Sequence, residues 1–325
     1  MDSQMDPGKA TVPNQVGTSN QTLLVRFLLQ GFSEYPDLWL PLFGCCSFFY
    51  TMALMGNILI IAIITCSPSL HSPMYFFLFN LAIMDIICSS AVLPKMLVGL
   101  ALKENTSSFQ GCMTQLFFIV LGVSSELLLL AVMACDRYMA ICRPLHYRTL
   151  MTPWVCGALA IVVWVICVLN SSINTGLMTR LYFCGSNVIT NFFCELPSLL
   201  LLSCSPTHVN SIMTILADAF YGLVNFILTL VSYGCIISSI LRIRSSEGKR
   251  RAFSTCSSHL IVVSVSYSAV FCAYINLGSN YNPQRNKVAG LLYTMLSPAL
   301  NPLIYTLRNK EVKAALGKVL LFCRN

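Results

Sequence analysis

The sequence predicts an all-α membrane protein, a bundle of seven transmembrane helices, and three observations carry that prediction. Hydrophobic residues make up 56% of the 325-residue chain and charged residues 10%, against about 25% charged in soluble domains. Seven apolar stretches each reach the ~20 residues that a helix needs to cross a hydrocarbon core. The Lys and Arg residues fall unevenly on the two sides of those stretches.

In order, the stretches run from Leu38 to Thr65, Met74 to Leu100, Cys112 to Arg137, Trp154 to Asn174, Asn210 to Leu241, Cys256 to Leu277 and Val288 to Leu307. An odd number puts the termini on opposite sides. With the N-terminus outside, thirteen basic residues lie on the cytoplasmic side, Arg143, Arg242, Arg250 and Arg251 among them, and seven lie outside. The positive-inside rule therefore predicts N-out, C-in. The net charge of +8 reports topology and speaks against a nucleic-acid partner. Residues 1–37 read as an extracellular tail, polar and of disordered composition over 2–22. Residues 38–307 form the membrane domain, and 308–325 a cytoplasmic segment with a short amphipathic helix. The chain opens without the apolar core and cleavage site of a signal peptide, so the first membrane helix is expected to act as the targeting signal. Neither an internal repeat nor a soluble domain is evident.

Most of the sixteen cysteines lie in apolar spans, where Cys behaves as a small hydrophobe. Cys112, Cys184, Cys194 and Cys204 fall on the outer, oxidising side. Four such cysteines suit two disulfides but allow three pairings. Zinc is disfavoured, because no CxxC or HxxxH spacing accompanies them. Asn20 (NQT) and Asn105 (NTS) are outer sequons, with Asn20 the expected glycan site. Asn170 (NSS) lies in the fourth span, out of reach. Cys323 in the basic tail is either a palmitoylation site or a free thiol.

Charged groups near lipid are costly and tend to be functional. The run MACDRYMAICRPLHY (Met133 to Tyr147) places Asp136-Arg137-Tyr138 where an apolar stretch meets a basic, proline-interrupted loop. Arg137 is always charged and presents a planar fork of donors, so Asp136 beside it can hold it until activation releases it. The plainer alternative is a helix-end Arg that snorkels to the headgroups. Asp85 and Glu126 are acids deep in the second and third spans, and two nearby carboxylates need a cation or a shared proton. Pro302 weakens the seventh helix beside Asn301 and Tyr305, creating a soft point.

Four further segments match one family. LHSPMYFFLFNLAIMD (Leu70 to Asp85) leads into the second helix, and Ser232-Tyr233 closes the fifth. KRRAFSTCSSHL (Lys249 to Leu260) opens the sixth, and PALNPLIYTLRN (Pro298 to Asn309) ends the seventh. With the Asp136-Arg137-Tyr138 triplet, they resemble an odorant (olfactory) receptor of the rhodopsin-like G-protein-coupled class, from about Asn20 to the C-terminus. The ten-residue spacing of Cys184, Cys194 and Cys204 is similar to the tetrapod type (class II), family 13 being one candidate. The chain departs from the family pattern at Ala82, Cys135 and Asn225, and at Ser266 and Ser268 around Tyr267, which puts in doubt any ligand transferred from a relative.

The resemblance implies a non-enzymatic receptor in the plasma membrane of olfactory neuron cilia. It would bind a small volatile odorant within the bundle and activate a stimulatory G protein to raise cyclic AMP. It pairs Cys112 with Cys194 and Cys184 with Cys204. It assigns coupling and activation to Asp136, Arg137, Tyr138, Tyr233, Asn301, Pro302 and Tyr305. It likens Asp85 and Glu126, with Asn57 and Asn301 nearby, to a sodium site, a protonated packing pair being the alternative. No other cofactor is implied.

Helical spacing combined with that likeness selects a pocket. Ile119, Val120, Val123 and Ser124 share a face of the third helix, as do Tyr267, Val270, Phe271 and Tyr274 of the sixth. Asp218, Tyr221 and Gly222 in the fifth and Leu291 and Thr294 in the seventh lie at matching depth. An apolar cavity with few polar groups would result. With no basic partner among these residues, a neutral Asp218 is expected, favouring alcohols, aldehydes, ketones or esters over amines. The competing classes are a receptor for a non-olfactory molecule and a transporter, the latter disfavoured because paired broken helices and a half-to-half repeat are missing.

Overall fold

The first helix shows how composition becomes structure here: Trp39–Cys66 is apolar along its whole length, with large side chains such as Leu40 and Phe48 facing outward from the bundle. In water such a surface would be untenable, whereas lipid tails solvate it. The computed structural model describes residues 26–31, 36–103, 105–184, 186–274, 287–288, 290–308 and 312–317. The polar tail 2–22, Asn20, Cys323 and the sixth span beyond Tyr274 lie outside them.

The second, third and fourth membrane helices are Pro73–Leu102, Phe109–Cys142 and Pro153–Met178, and the fifth spans His208–Arg242. These four and the first are long and apolar enough to cross a membrane. The sixth, Ser246–Tyr274, qualifies when its limbs Ser246–Ser254 and Cys256–Phe271, which meet at 43°, count as one span. The seventh contains a π-helical stretch, Leu292–Leu296, and continues as an α-helix over Ser297–Arg308. Residues 312–317 form a helical turn that buries Val312 and Ala315.

Local chemistry sets the starts. Pro73 and Pro153 occupy first-turn positions, where a missing N–H costs nothing. Ser108 and Thr152 cap their helices, accepting from Gly111 N at 3.0 Å and Val155 N at 3.3 Å. The third helix continues to Cys142, beyond the expected end at Arg137, and the sixth begins at Ser246, ten residues before Cys256. Hydropathy marks the part of a helix in hydrocarbon, and the backbone ladder continues past it.

The third helix is central, with 67% of its most apolar window buried, against 28% for the first, fourth and fifth. It packs on the second, fourth, fifth and sixth helices, and the seventh closes the ring against the first and second. Two glycines permit close approach. A Cβ on Gly122 would lie 2.8 Å from Cys88 Cβ, and one on Gly56 2.7 Å from Pro302 Cγ. Trp164 Nε1 donates to Asn80 Oδ1 at 3.0 Å, tying the fourth helix to the second.

At one end of the bundle sits a small sheet that hydropathy did not foretell. Strand β1 (Arg26–Leu29) lies between β2 (Thr106–Ser108), antiparallel, and β3 (Val188–Ile189), parallel. Phe27 and Leu29 point inward and Arg26 and Leu28 outward, the period-2 alternation of a strand. Phe27 meets Phe183 edge-on at 5.4 Å. Disulfides Cys112–Cys194 and Cys184–Cys204 join this end together.

Candidate functional site: an apolar cavity above two polar clusters

Below the sheet, a cavity of about 230 Å³ opens among the third to seventh helices. Eight residues selected from the sequence line it: Ile119, Val120, Val123, Ser124, Asp218, Tyr221, Val270 and Thr294. Four others do not. Tyr267 and Phe271 pack against Phe226 of the fifth helix, with ring centroids 5.1 and 4.9 Å apart. Leu291 turns to a cluster with Leu42, Phe49 and Met295, and Gly222 is absent from the lining. The side chain of Tyr274 lies outside the described residues.

Helix winding changes along two of the lining helices. The 3.6-residue period used to group positions fails where the helix is π, and Asp218–Val224 and Leu292–Leu296 are both π stretches. Tyr293, unselected by spacing, lies in the second of these stretches and lines the cavity.

Also missed were Asn170 and Asn174 of the fourth helix and Phe193 and Glu195 of the loop leading from it. Asn170 and Asn174 stand four residues apart on one apolar helix, a signal available in the sequence but read only as an unreachable sequon. The Cys112–Cys194 bond sets the loop residues over the cavity. Cys194 N donates to Gln115 Oε1 at 2.9 Å, anchoring the loop to the third helix. Glu195 accepts from Ser198 Oγ at 2.6 Å. Burial pushes its carboxyl above the usual range, against the pull of the Ser198 and Asn191 side chains.

Beneath the cavity, Glu126 is held by three hydroxyls. Ser266 Oγ and Ser297 Oγ donate to Oε1 at 2.7 and 2.5 Å, and Tyr293 OH to Oε2 at 3.2 Å. One buried acid thus bonds the sixth and seventh helices to the third. Tyr293 reaches both this cluster and the cavity. Asp85 accepts from Asn301 Nδ2 at 3.0 and 3.3 Å. The Asn57 amide goes instead to Ala53 O and Pro298 O, both at 2.9 Å.

At the end opposite the sheet, Arg137 donates to Asp136 Oδ2 through Nη2 at 2.7 Å and Nε at 3.1 Å. Tyr147, on the short helix Pro144–Leu150, donates to Asp136 Oδ1 at 2.8 Å. Burial and the facing carboxylate hold the Tyr147 phenol far above its usual range, so it remains a donor. Asp136 is fully buried and Arg137 is 11% exposed. The pair is a closed clasp shielded from solvent. Tyr233 OH meets His259 Nδ1 at 2.5 Å, and Tyr138 packs against that cluster. Pro302 and Tyr305 are buried in the last two turns of the seventh helix.

A family model described as "Olfactory receptor" matches residues 46–322. The chain is 59% identical to human "Olfactory receptor 13A1" over 97% of its own length and 96% of the relative's. It is 46% identical to human "Olfactory receptor 13G1" over 94% and 100%, and 43% identical to mouse "Olfactory receptor 5AP2" over 94% and 96%.

Proposed function

The chain belongs to the olfactory receptor family, a multi-pass, non-enzymatic receptor family, and from that premise we propose that it binds a small volatile odorant in the cavity of about 230 Å³. Binding then activates a stimulatory G protein and raises cyclic AMP. The observation that carries this reading is the stacking of three sites along one bundle: a mostly apolar cavity, the hydroxyl-clamped Glu126 and the Asp136–Arg137 clasp. A mostly apolar cavity with few polar groups suits small-molecule recognition.

The sheet end faces the outside of the cell and the clasp faces the cytoplasm. The excess of basic residues on the clasp side and the two disulfides at the sheet end support this orientation. Resemblance to relatives extends the location to olfactory cilia. Arg137 is the group that meets the G protein once Asp136 lets go, with Tyr138, Tyr233, Asn301, Pro302 and Tyr305 in the parts that move. Asp85 and Glu126 form a subsite for a sodium ion, supported by two buried carboxyls close enough to feel each other's charge. The test is a cyclic AMP reporter in cells expressing the chain, screened with a chemically broad odorant panel. Concentration-dependent responses absent from untransfected cells are expected, and silence at normal surface expression rejects the reading.

A further inference from the structure

The polar atoms of the cavity wall are sorted by kind. Ser124, Thr214 and Thr294 donate their protons to the carbonyls of Val120, Asn210 and Gly290, at 2.6, 2.9 and 2.7 Å, each one turn back on its own helix. Tyr293 donates to Glu126 at 3.2 Å, and Tyr221 more weakly to Ile166 O at 3.5 Å. Every hydroxyl on the wall therefore turns its proton into the protein and leaves lone pairs for the cavity. The Asn174 amide is also engaged, donating to Asn170 O at 2.9 Å and Asn170 Oδ1 at 3.0 Å. Glu195, whose Oε1 accepts from Ser198, adds a further acceptor oxygen, since a carboxyl keeps one in either protonation state. Asn170 Nδ2 is the side-chain N–H on this wall that these bonds leave for a guest. Among the described residues, no Lys, Arg or His lines the cavity.

We infer that this cavity selects ligands bearing a hydroxyl group, an alcohol or a phenol, over ethers, ketones, aldehydes and esters of the same skeleton. The inference rests on the odorant-binding reading above and narrows its ligand class. A ligand that only accepts would find donors on this wall at Asn170 and at a carboxyl that carries its proton, and would leave the remaining acceptors of the wall unanswered. A hydroxyl donates to Glu195 or another wall acceptor and also accepts from Asn170. An ammonium group donates but cannot accept, and it must shed a tightly held water shell. Burial lifts the Glu195 carboxyl, weakening its draw on a cation while leaving its acceptor role intact.

The experiment uses matched sets on one carbon skeleton, comprising the alcohol, its methyl ether, the ketone or aldehyde and the primary amine. Each is titrated on the full-length receptor in a cyclic AMP reporter with surface expression measured in parallel. The alcohol is expected to act at a concentration about tenfold below the others, the scale of one well-placed hydrogen bond. Glu195→Gln, which exchanges an acceptor oxygen for an N–H, should narrow that ratio by admitting the ether and ketone. The wild-type ranking decides the matter if the variant fails to reach the surface. Ethers, carbonyl compounds or amines that equal or outrank the alcohol overturn the hydroxyl preference and leave the receptor reading standing. Silence across every set at normal surface expression removes the receptor reading and this inference with it.

Discussion

At the scale of single residues, hydrogen bonds answer the buried ionisable groups Asp85, Glu126 and Asp136. Arg137 and Asp136 answer each other, and Tyr147 supplies a second donor to the same carboxylate. Arg137→Ala should reach the surface in normal amounts yet lose ligand-driven cyclic AMP, because the proposed contact with the G protein needs its charge. Tyr147→Phe removes one donor from a buried carboxylate, worth about 1 kcal/mol. It should raise basal cyclic AMP severalfold, and an unchanged basal level would contradict the clasp as a restraint. Ser266 offers a sharper case. It departs from the resembled family's pattern, and it donates to Glu126 from the sixth helix. Ser266→Ala should loosen that helix and raise basal signalling, Ser266→Thr should restore it, and both variants should be compared at equal surface level. The sequence marked Ser266 as unusual, but its partner lies 140 residues away, a distance that no local pattern bridges.

At the scale of elements, the cavity depends on how the loop after the fourth helix is tied down. The Cys112–Cys194 bond and the Gln115 anchor hold Phe193 and Glu195 over the cavity. Losing a native disulfide typically costs about 2 to 5 kcal/mol. Cys112→Ser and Cys194→Ser should each mature poorly, and the double variant should mature no worse than either single, measured by surface labelling. Additive losses would show that the two cysteines act separately. Helix contact is the other requirement. Gly122→Val would press carbon into Cys88, at a cost of about 1 to 3 kcal/mol for an overpacked interface. Thermal stability in detergent should fall accordingly, and Cys88→Gly in the same chain should recover part of the loss. Both π stretches belong to this scale as well. Spacing at 3.6 residues picked out cavity-lining positions on the third helix and two on the fifth, whereas Gly222 and Leu291 are not on the cavity wall.

At the scale of the whole molecule, orientation gives the most direct test. If the sheet end is outside, the Asn20 sequon lies in the lumen during synthesis. Asn20→Gln should then abolish most of the gel shift caused by glycosidase, whereas an N-terminal tag reachable only in permeabilised cells would reverse the topology. Much of this molecule follows from the sequence alone. The seven apolar spans, their order, the family and the residues of the Arg137 and Asn301 motifs were legible there, because hydropathy, charge asymmetry and short motifs are properties of neighbouring residues. The tertiary structure alone decided that Phe27 and Leu29 enter a sheet with two distant loops, that Asn170 and Glu195 face one cavity, and that Glu126 gathers hydroxyls from two other helices. The direction of each wall proton was decided there too. Such features arise where helices cross and loops fold over them, so they depend on crossing geometry and local winding, which residue spacing along a single helix does not encode.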